Sequence, residues 1–318
     1  MSEVWTHILV IVGVLLVMTS LAAGLIYVER RMLAAFQDRY GPNRVGPFGI
    51  LQVVADMIKM FFKEDWIPKF ADKKVFILAP TIIMITITCG FVVIPFTPVI
   101  NVVDLNIGLL FVLGMSALAA YSVALGGWAS NNKYSLLGAV RGTAQVISYE
   151  VFMALSLMGV VVMTGSFSLR EIVLAQEEMW NIGPQFIGFL IFMIAAVAET
   201  HRAPFDLPEA ESELIAGYHS EYSGMKFGMF FVGEYLGVLL MSSLVTVLFF
   251  GGWLGPSFLP PVVWFLLKMF VFVILFILFR AALMRPRYDQ LMSYGWKILL
   301  PLSLVNILVT GAIVLASG

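Results

Sequence analysis

The sequence is poor in the residues that metal and redox chemistry uses. It has one cysteine, Cys89, and three histidines in 318 residues. A single thiol forms no internal disulfide and cannot ligate an iron–sulfur cluster or a structural zinc ion. No two histidines have the spacing of a helical metal pair, so neither metal nor haem is expected on this chain. Charge is scarce too. Charged types make up 12% of the residues, against about 25% in soluble domains. Lys+Arg 19 and Asp+Glu 20 nearly cancel, to a net charge of −1. A soluble domain, a disordered chain and a nucleic-acid binder are thereby excluded. The N-terminal MSEVWTH lacks the basic stretch of a secretory signal, so the apolar run that follows reads as a retained span.

Apolar residues dominate instead, at 60%, with a mean hydropathy of +0.95. Eight apolar runs stand out, at 5–28, 76–97, 107–129, 144–165, 182–200, 227–250, 262–283 and 296–316; each is about long enough to cross a bilayer as a helix. The expected fold is all-α: one membrane domain over 1–318, a bundle of eight transmembrane helices with long loops on one side. The connections 29–75, 130–143, 201–226 and 284–295, with adjoining span ends at Arg280 and Lys297, hold all but two of the 19 Lys and Arg; Arg170 and Lys268 are the exceptions. The positive-inside rule puts those loops in the cytoplasm and both termini in the periplasm.

The first loop contains the turn signals Gly41-Pro42-Asn43 and Gly46-Pro47, then GILQVVADMIKMFFKED. There Gln52, Asp56, Lys59 and Lys63 share one helix face and Leu51, Val54, Ile58, Phe61 and Phe62 the opposite side, the pattern of an interfacial amphipathic helix. It serves as a surface anchor or as the wall of a doorway for an apolar substrate.

Glu150 and Glu234 lie inside the fourth and sixth runs, and Glu199 closes the fifth. An ionised carboxylate there costs at least ~2.5–3.5 kcal/mol. Desolvation and neighbouring carboxylates favour the protonated form of such groups, which fits them to take up and release protons. Pairing with Arg141, Lys268 or Arg280 is the structural alternative. The following loop, ETHRAPFDLPEAESELIAGYHSEYSG, sets Asp206, Glu209, Glu211, Glu213 and Glu221 against only Arg202 and Lys226. Glu209 and Glu213 share a face if the stretch is helical, where like charges repel. Its apolar residues, among them Phe205, Leu207 and Leu214, suggest that the loop folds back into a groove. The EF-hand spacing is absent. The acids from 199 to 234 thus read as a proton path opening at the cytoplasmic surface.

With ERRMLAAFQDRYGPNRVGPFGILQVVADMIKMFFKED, RGTAQVISYEV, the acidic loop, FFVGEY and RPRYDQLMSYGWKILLP in this order, nearly the whole chain resembles the H-subunit family of bacterial NADH:quinone oxidoreductase, respiratory complex I. Departures are small: Ala35 for a usual glycine, Val53 for a frequent proline, His201 for a common asparagine. The resemblance implies a component of an inner-membrane translocase that forms the membrane part of a quinone chamber, at Arg30, Gln37, Arg39, Arg44, Asp56, Arg202 and Phe205. It implies proton transfer by Glu150, Glu199, Asp206, Glu209, Glu211, Glu213, Glu221 and Glu234, with Arg141, Lys268, Arg280, Arg285 and Arg287 as charge partners. Quinone is the implied substrate. NADH, FMN and iron–sulfur clusters belong to partner subunits of the peripheral arm, and small membrane subunits, antiporter-like subunits and lipid are further partners. Two other readings compete. A membrane anchor of an energy-converting hydrogenase or formate hydrogenlyase keeps the acids but reduces protons. A stand-alone transporter would show broken helices or an inverted repeat, and neither is evident.

The topology has a direct check. A cysteine placed at Gly318 is expected to react in intact cells with a membrane-impermeant thiol reagent, and one placed within 201–226 only after the membrane is opened; the reverse order inverts the assignment.

Overall fold

The computed structural model describes residues 2–317 and is helical throughout, with twelve α-helices among the described residues. They are α1 (Ser2–Phe36), α2 (Gln52–Phe62), α3 (Lys73–Gly90), α4 (Gly108–Ala129), α5 (Lys133–Thr164), α6 (Leu169–Leu174), α7 (Phe186–Glu199), α8 (Glu211–Leu214), α9 (Gly224–Phe249), α10 (Pro261–Ala282), α11 (Tyr288–Tyr294) and α12 (Leu300–Ser317). A π-helical turn at Gly295–Leu299 joins α11 to α12. Seven helical stretches are long and apolar enough to cross a membrane. The fifth expected span is different: α7 has 14 residues, roughly 21 Å at 1.5 Å per residue, against an apolar core of about 30 Å. Its ends are finished by side chains rather than by more helix. Gln185 at its start bonds Thr310 at 2.7 Å and accepts from Asn306 at 2.9 Å. Gln145 of α5 donates to the Ala198 carbonyl at its end, at 2.7 Å.

The α5 helix departs from expectation in the other direction. Its 32 residues span roughly 48 Å, so most of the loop expected at 130–143 is helix. Asn132 caps it, accepting from the Tyr134 N–H at 3.0 Å, in the manner of a polar N-cap. Asp72 does the same for α3 at Lys74 and Val75.

α9 is the central helix, with 78% of its apolar window buried against 17% for α1. It packs against α1, α3 and α10, while α5 lies against α4, α7 and α12. Small residues permit the close approaches that apolar helices need in lipid. At Gly127 of α4, a Cβ would meet Ala139 of α5 at 2.3 Å. Pro80 inside α3 has no N–H, so the carbonyl of Phe76, four residues earlier, has no helical donor. The Tyr222 hydroxyl donates to it at 3.1 Å, and the two rings stack at 3.9 Å.

The four long connections meet at one end of the bundle, joined by Arg141–Glu213, Arg285–Asp206, Lys226–Asp65 and Asn132–Glu221. The short ones meet at the other, where Arg170 lies 3.6 Å from Asp104 and Gln176 accepts from Gly251. The segregation of loops expected from charge is therefore present in three dimensions.

Residues 201–210 fold inward as the sequence suggests, but not as a helix. His201, Ala210, Ile215 and Ala216 adopt positive φ, and α8 is only four residues long. Backbone packing holds the loop in place. The Cα of Gly217 (φ +56) abuts Pro208, so a Cβ there would lie 1.7 Å from the Pro208 carbonyl oxygen; one on Gly138 of α5 would lie 2.6 Å from the same atom. Gly217→Ala is expected to cost at least ~2 kcal/mol and to lower the amount of assembled protein in membranes. Gly13→Ala, where a Cβ meets nothing within 4 Å, leaves that amount unchanged. Equal amounts for the two variants would contradict this packing.

Candidate functional site

Glu29 lies on the buried stripe of α1, below Met18, Ala22 and Leu25. Its carboxylate accepts from Arg202 at 3.2 and 3.3 Å and forms a short ion pair with Arg280 of α10. Arg202 follows the end of α7 and is 6% exposed. Its guanidinium lies over the Tyr235 ring at 4.2 Å and reaches Glu234 of α9 at 4.0 Å. Burial disfavours its charge, but the Glu29 carboxylate more than compensates and holds its pKa above the ordinary value. The Tyr218 hydroxyl donates to Glu234 at 3.4 Å. Glu209 and Glu234 border the same cavity, and His219 lies 3.8 Å from Glu209. Burial opposes the Glu209 charge, yet the hydrogen bond shared with Glu234 and the positive groups nearby outweigh it and hold its pKa below the usual value.

Three cavities run through this region. The outer one, about 570 Å³, lies between α2 and α9 and is lined by Arg30, Asp56, Lys59, Lys63 and Phe227. Phe227 also borders the second, about 120 Å³, with Arg202, Asp206, Glu209, His219 and Glu234. His201 and Glu234 then border the third, about 40 Å³, which ends at Glu199 among α3, α4, α7 and α9. A water needs about 10–15 Å³. Glu199 Oε2, His201 Nδ1 and the Nε and Nη2 atoms of Arg202 are buried and make no protein hydrogen bond, and their residues line the two inner cavities.

The sequence candidates divide on this geometry. Arg30 and Asp56 meet at 2.5 Å, with Gln52 on the same carboxylate at 3.0 Å. Burial raises the Asp56 pKa, but these bonds lower it further, so it stays below the ordinary value. Gln37 and Arg39 bond each other at 2.8 Å on exposed chain, and Arg44 is also exposed. Phe205 is half-buried, with its ring 5.7 Å from that of Tyr149. Asp206 is held by Arg285 in a two-pronged contact of 2.6 and 2.5 Å. Glu213 pairs with Arg141 at 2.7 Å, and Glu221 accepts from Asn132 at 2.6 Å. Glu150 is half-buried and within electrostatic range of Glu199. The side chain of Glu211 lies outside the described residues.

Three expectations need correction. Glu209 and Glu213 do not share a helix face, because the chain turns at Ala210 (φ +31). Lys268 partners no acid of the cluster. It lies at the other end of the bundle, donating to the carbonyls of Phe250, Gly252 and Leu254 at 2.7, 3.2 and 2.6 Å, where the C-terminus of α9 leaves acceptors unsatisfied. Arg287 pairs with Asp289 two residues on, an exposed pair of small energetic consequence.

Sequence reasoning missed Glu29, Tyr218, Tyr235 and Gln145. Glu29 closes an apolar run and precedes two arginines, so it reads as a boundary charge. Its spacing from Met18, Ala22 and Leu25, at four, three and four residues, was the available signal. Gln145 donates to both the Ala198 and Phe205 carbonyls, which fixes the backbone on either side of Arg202.

Fold and site together define a multi-pass membrane protein whose acidic groups run from one end of the bundle into its interior. The family model described as NADH dehydrogenase matches residues 8–311. Over 304 residues the chain is 66% identical to the H subunit of the NADH-quinone oxidoreductase of Methylococcus capsulatus, covering 96% of each sequence. The chain belongs to this family, that of the H subunits of NADH-quinone oxidoreductase.

His201 provides a pH test of the loop. Burial lowers its pKa from 6.5 to about 4, so the opened loop binds a proton before the folded one does. The loop's stability is full above 6.5, falls as pH drops toward 4 and levels below, by on the order of 3 kcal/mol. Hydrogen exchange of residues 201–216 in the assembled complex is expected to show this acid loosening in the parent and much less of it in His201→Asn. Equal acid dependence in both would count against a neutral buried imidazole.

Proposed function

We propose that this protein forms the membrane wall of a quinone chamber and passes protons along its acids as quinone is reduced. The observation that carries the reading is the run of three cavities, each bordering the next, from the interfacial helix α2 to Glu199. The outer cavity combines the charged pair Arg30–Asp56 with Met60 and Phe227, which suits an apolar molecule with a polar head. The inner two are lined by groups that hold or exchange protons: Glu209 and Glu234 face one cavity, and Glu199 and His201 have unpartnered polar atoms. Asp206, Glu213 and Asp56 have arginine partners and serve mainly to hold the walls. Glu234 and Glu209 are the acids best placed to relay, with Glu199 and Glu150 continuing the path.

The quinone is the substrate, and NADH, FMN and the clusters reside on other subunits. The 66% identity to a protein named as one subunit of an NADH-quinone oxidoreductase supports the presence of partner subunits. The peripheral arm would seat on the end where the long loops meet. That end faces the cytoplasm of a bacterial inner membrane, and antiporter-like subunits receive the protons.

The test is a pair of substitutions with similar shape and different titration. Glu234→Gln keeps the hydrogen-bonding shape but cannot exchange a proton, and is expected to lower quinone-coupled turnover and pumping at least about tenfold. Glu234→Asp retains part of both. Measured in membranes of equal complex content, near-normal pumping by both variants would remove Glu234 from the relay.

A further inference from the structure

Arg202 lies between two buried carboxylates on different helices. It touches Glu29 of α1 at 3.2 Å and stands 4.0 Å from Glu234 of α9. The Nη2 atom that faces Glu234 is buried and makes no hydrogen bond. A buried donor without an acceptor costs about 1–3 kcal/mol, more when charged, and here the nearest acid lies just beyond bonding distance. Glu29 in turn has a second cation, Arg280, and so keeps a partner if Arg202 leaves.

We propose that Glu29 is a positioning residue for the relay and that Arg202 exchanges between Glu29 and Glu234 with the protonation of Glu234. This rests on the relay reading above. While Glu234 holds its proton it attracts the guanidinium weakly, and Arg202 shares Glu29 with Arg280. When the O–H bond of Glu234 breaks and the proton passes to the Glu209 carboxylate, Glu234 is left negative. Arg202 closes the remaining gap, and two separate pairs result, Glu234–Arg202 and Glu29–Arg280. Proton return reverses the movement. The Tyr235 ring lies under the guanidinium in the observed position and provides a face on which a planar cation can slide. The other charged or titratable groups facing the pair are Tyr218 on Glu234 and, around the shared cavity, Asp206, His201 and His219. Each proton step thereby shifts a link between α1 and α9, the helices on either side of Arg202.

Two measurements test the exchange. In the unmodified, assembled complex without quinone turnover, structures at acidic and alkaline pH are expected to show Arg202 on Glu29 and on Glu234 respectively. The same position at both overturns the proposal. Because this readout needs no quinone chemistry, it fails separately from the relay reading, which Glu234→Gln tests. The second measurement uses Glu29→Gln, which leaves Arg202 on Glu234 and favours the carboxylate there. Quinone-coupled turnover is expected to fall about tenfold, with its pH profile moved acidward by about one unit. Glu29→Asp restores the profile, and NADH oxidation by an acceptor that bypasses quinone is unchanged. A fall in turnover with an unmoved profile assigns Glu29 a structural role only and overturns the exchange. If Glu29→Gln does not assemble, the two-pH comparison decides.

Discussion

The arrangement depends on one buried carboxylate. Glu29 neutralises Arg202 and shares Arg280, and without it a guanidinium only 6% exposed would lose its closest counter-charge in the bundle interior. Removing one partner of a buried ion pair costs about 3–5 kcal/mol, because the other charge stays desolvated. The three groups come from α1, from the loop after α7 and from α10. Their pairing therefore fixes where the acidic loop enters the bundle and how near Arg202 comes to Glu234. Gln145 and the Pro208–Gly217 backbone contact hold the same loop from the other side.

The bilayer imposes a second constraint, that no backbone polar group be left without a partner. The central helix meets it with side chains from its neighbours. At its far end Gln176, Asn181 and Lys268 supply donors to the carbonyls of Val247, Leu248 and Phe250. Tyr222 satisfies the carbonyl that Pro80 frees in α3. With its outer end tied in this way, α9 can present Glu234 to the interior without fraying.

The acids separate by their partners. Asp206, Glu213 and Asp56 are each bonded to an arginine, which fixes where each side chain lies. Among the described residues, Glu209 and Glu234 have no arginine within bonding distance and border one cavity instead. Equal-looking letters in one acidic segment thus have different surroundings, set by what each side chain meets.

Much was legible in the sequence because it depends on local quantities. Runs of apolar residues give the spans, since each must match the bilayer thickness. The placing of basic residues separates the two sets of connections, since charge next to a span selects a side. Apolar residues within ETHRAPFDLPEAESEL betray a loop that turns inward. Tertiary structure alone decided the rest. Glu29 meets partners 173 and 251 positions away in the chain, and no local pattern encodes such a pairing. The reading of Lys268 as a partner of acids failed for the same reason, since its composition-level signal, a charge in an apolar run, says nothing about which end of the bundle it serves. The break at Ala210 sends Glu209 inward to Glu234 and leaves Glu213 at the rim with Arg141. Hydrophobicity and charge are properties of residues in sequence, whereas the energy of a buried ion pair falls off over a few ångströms and exists only once helices from distant parts of the chain have packed.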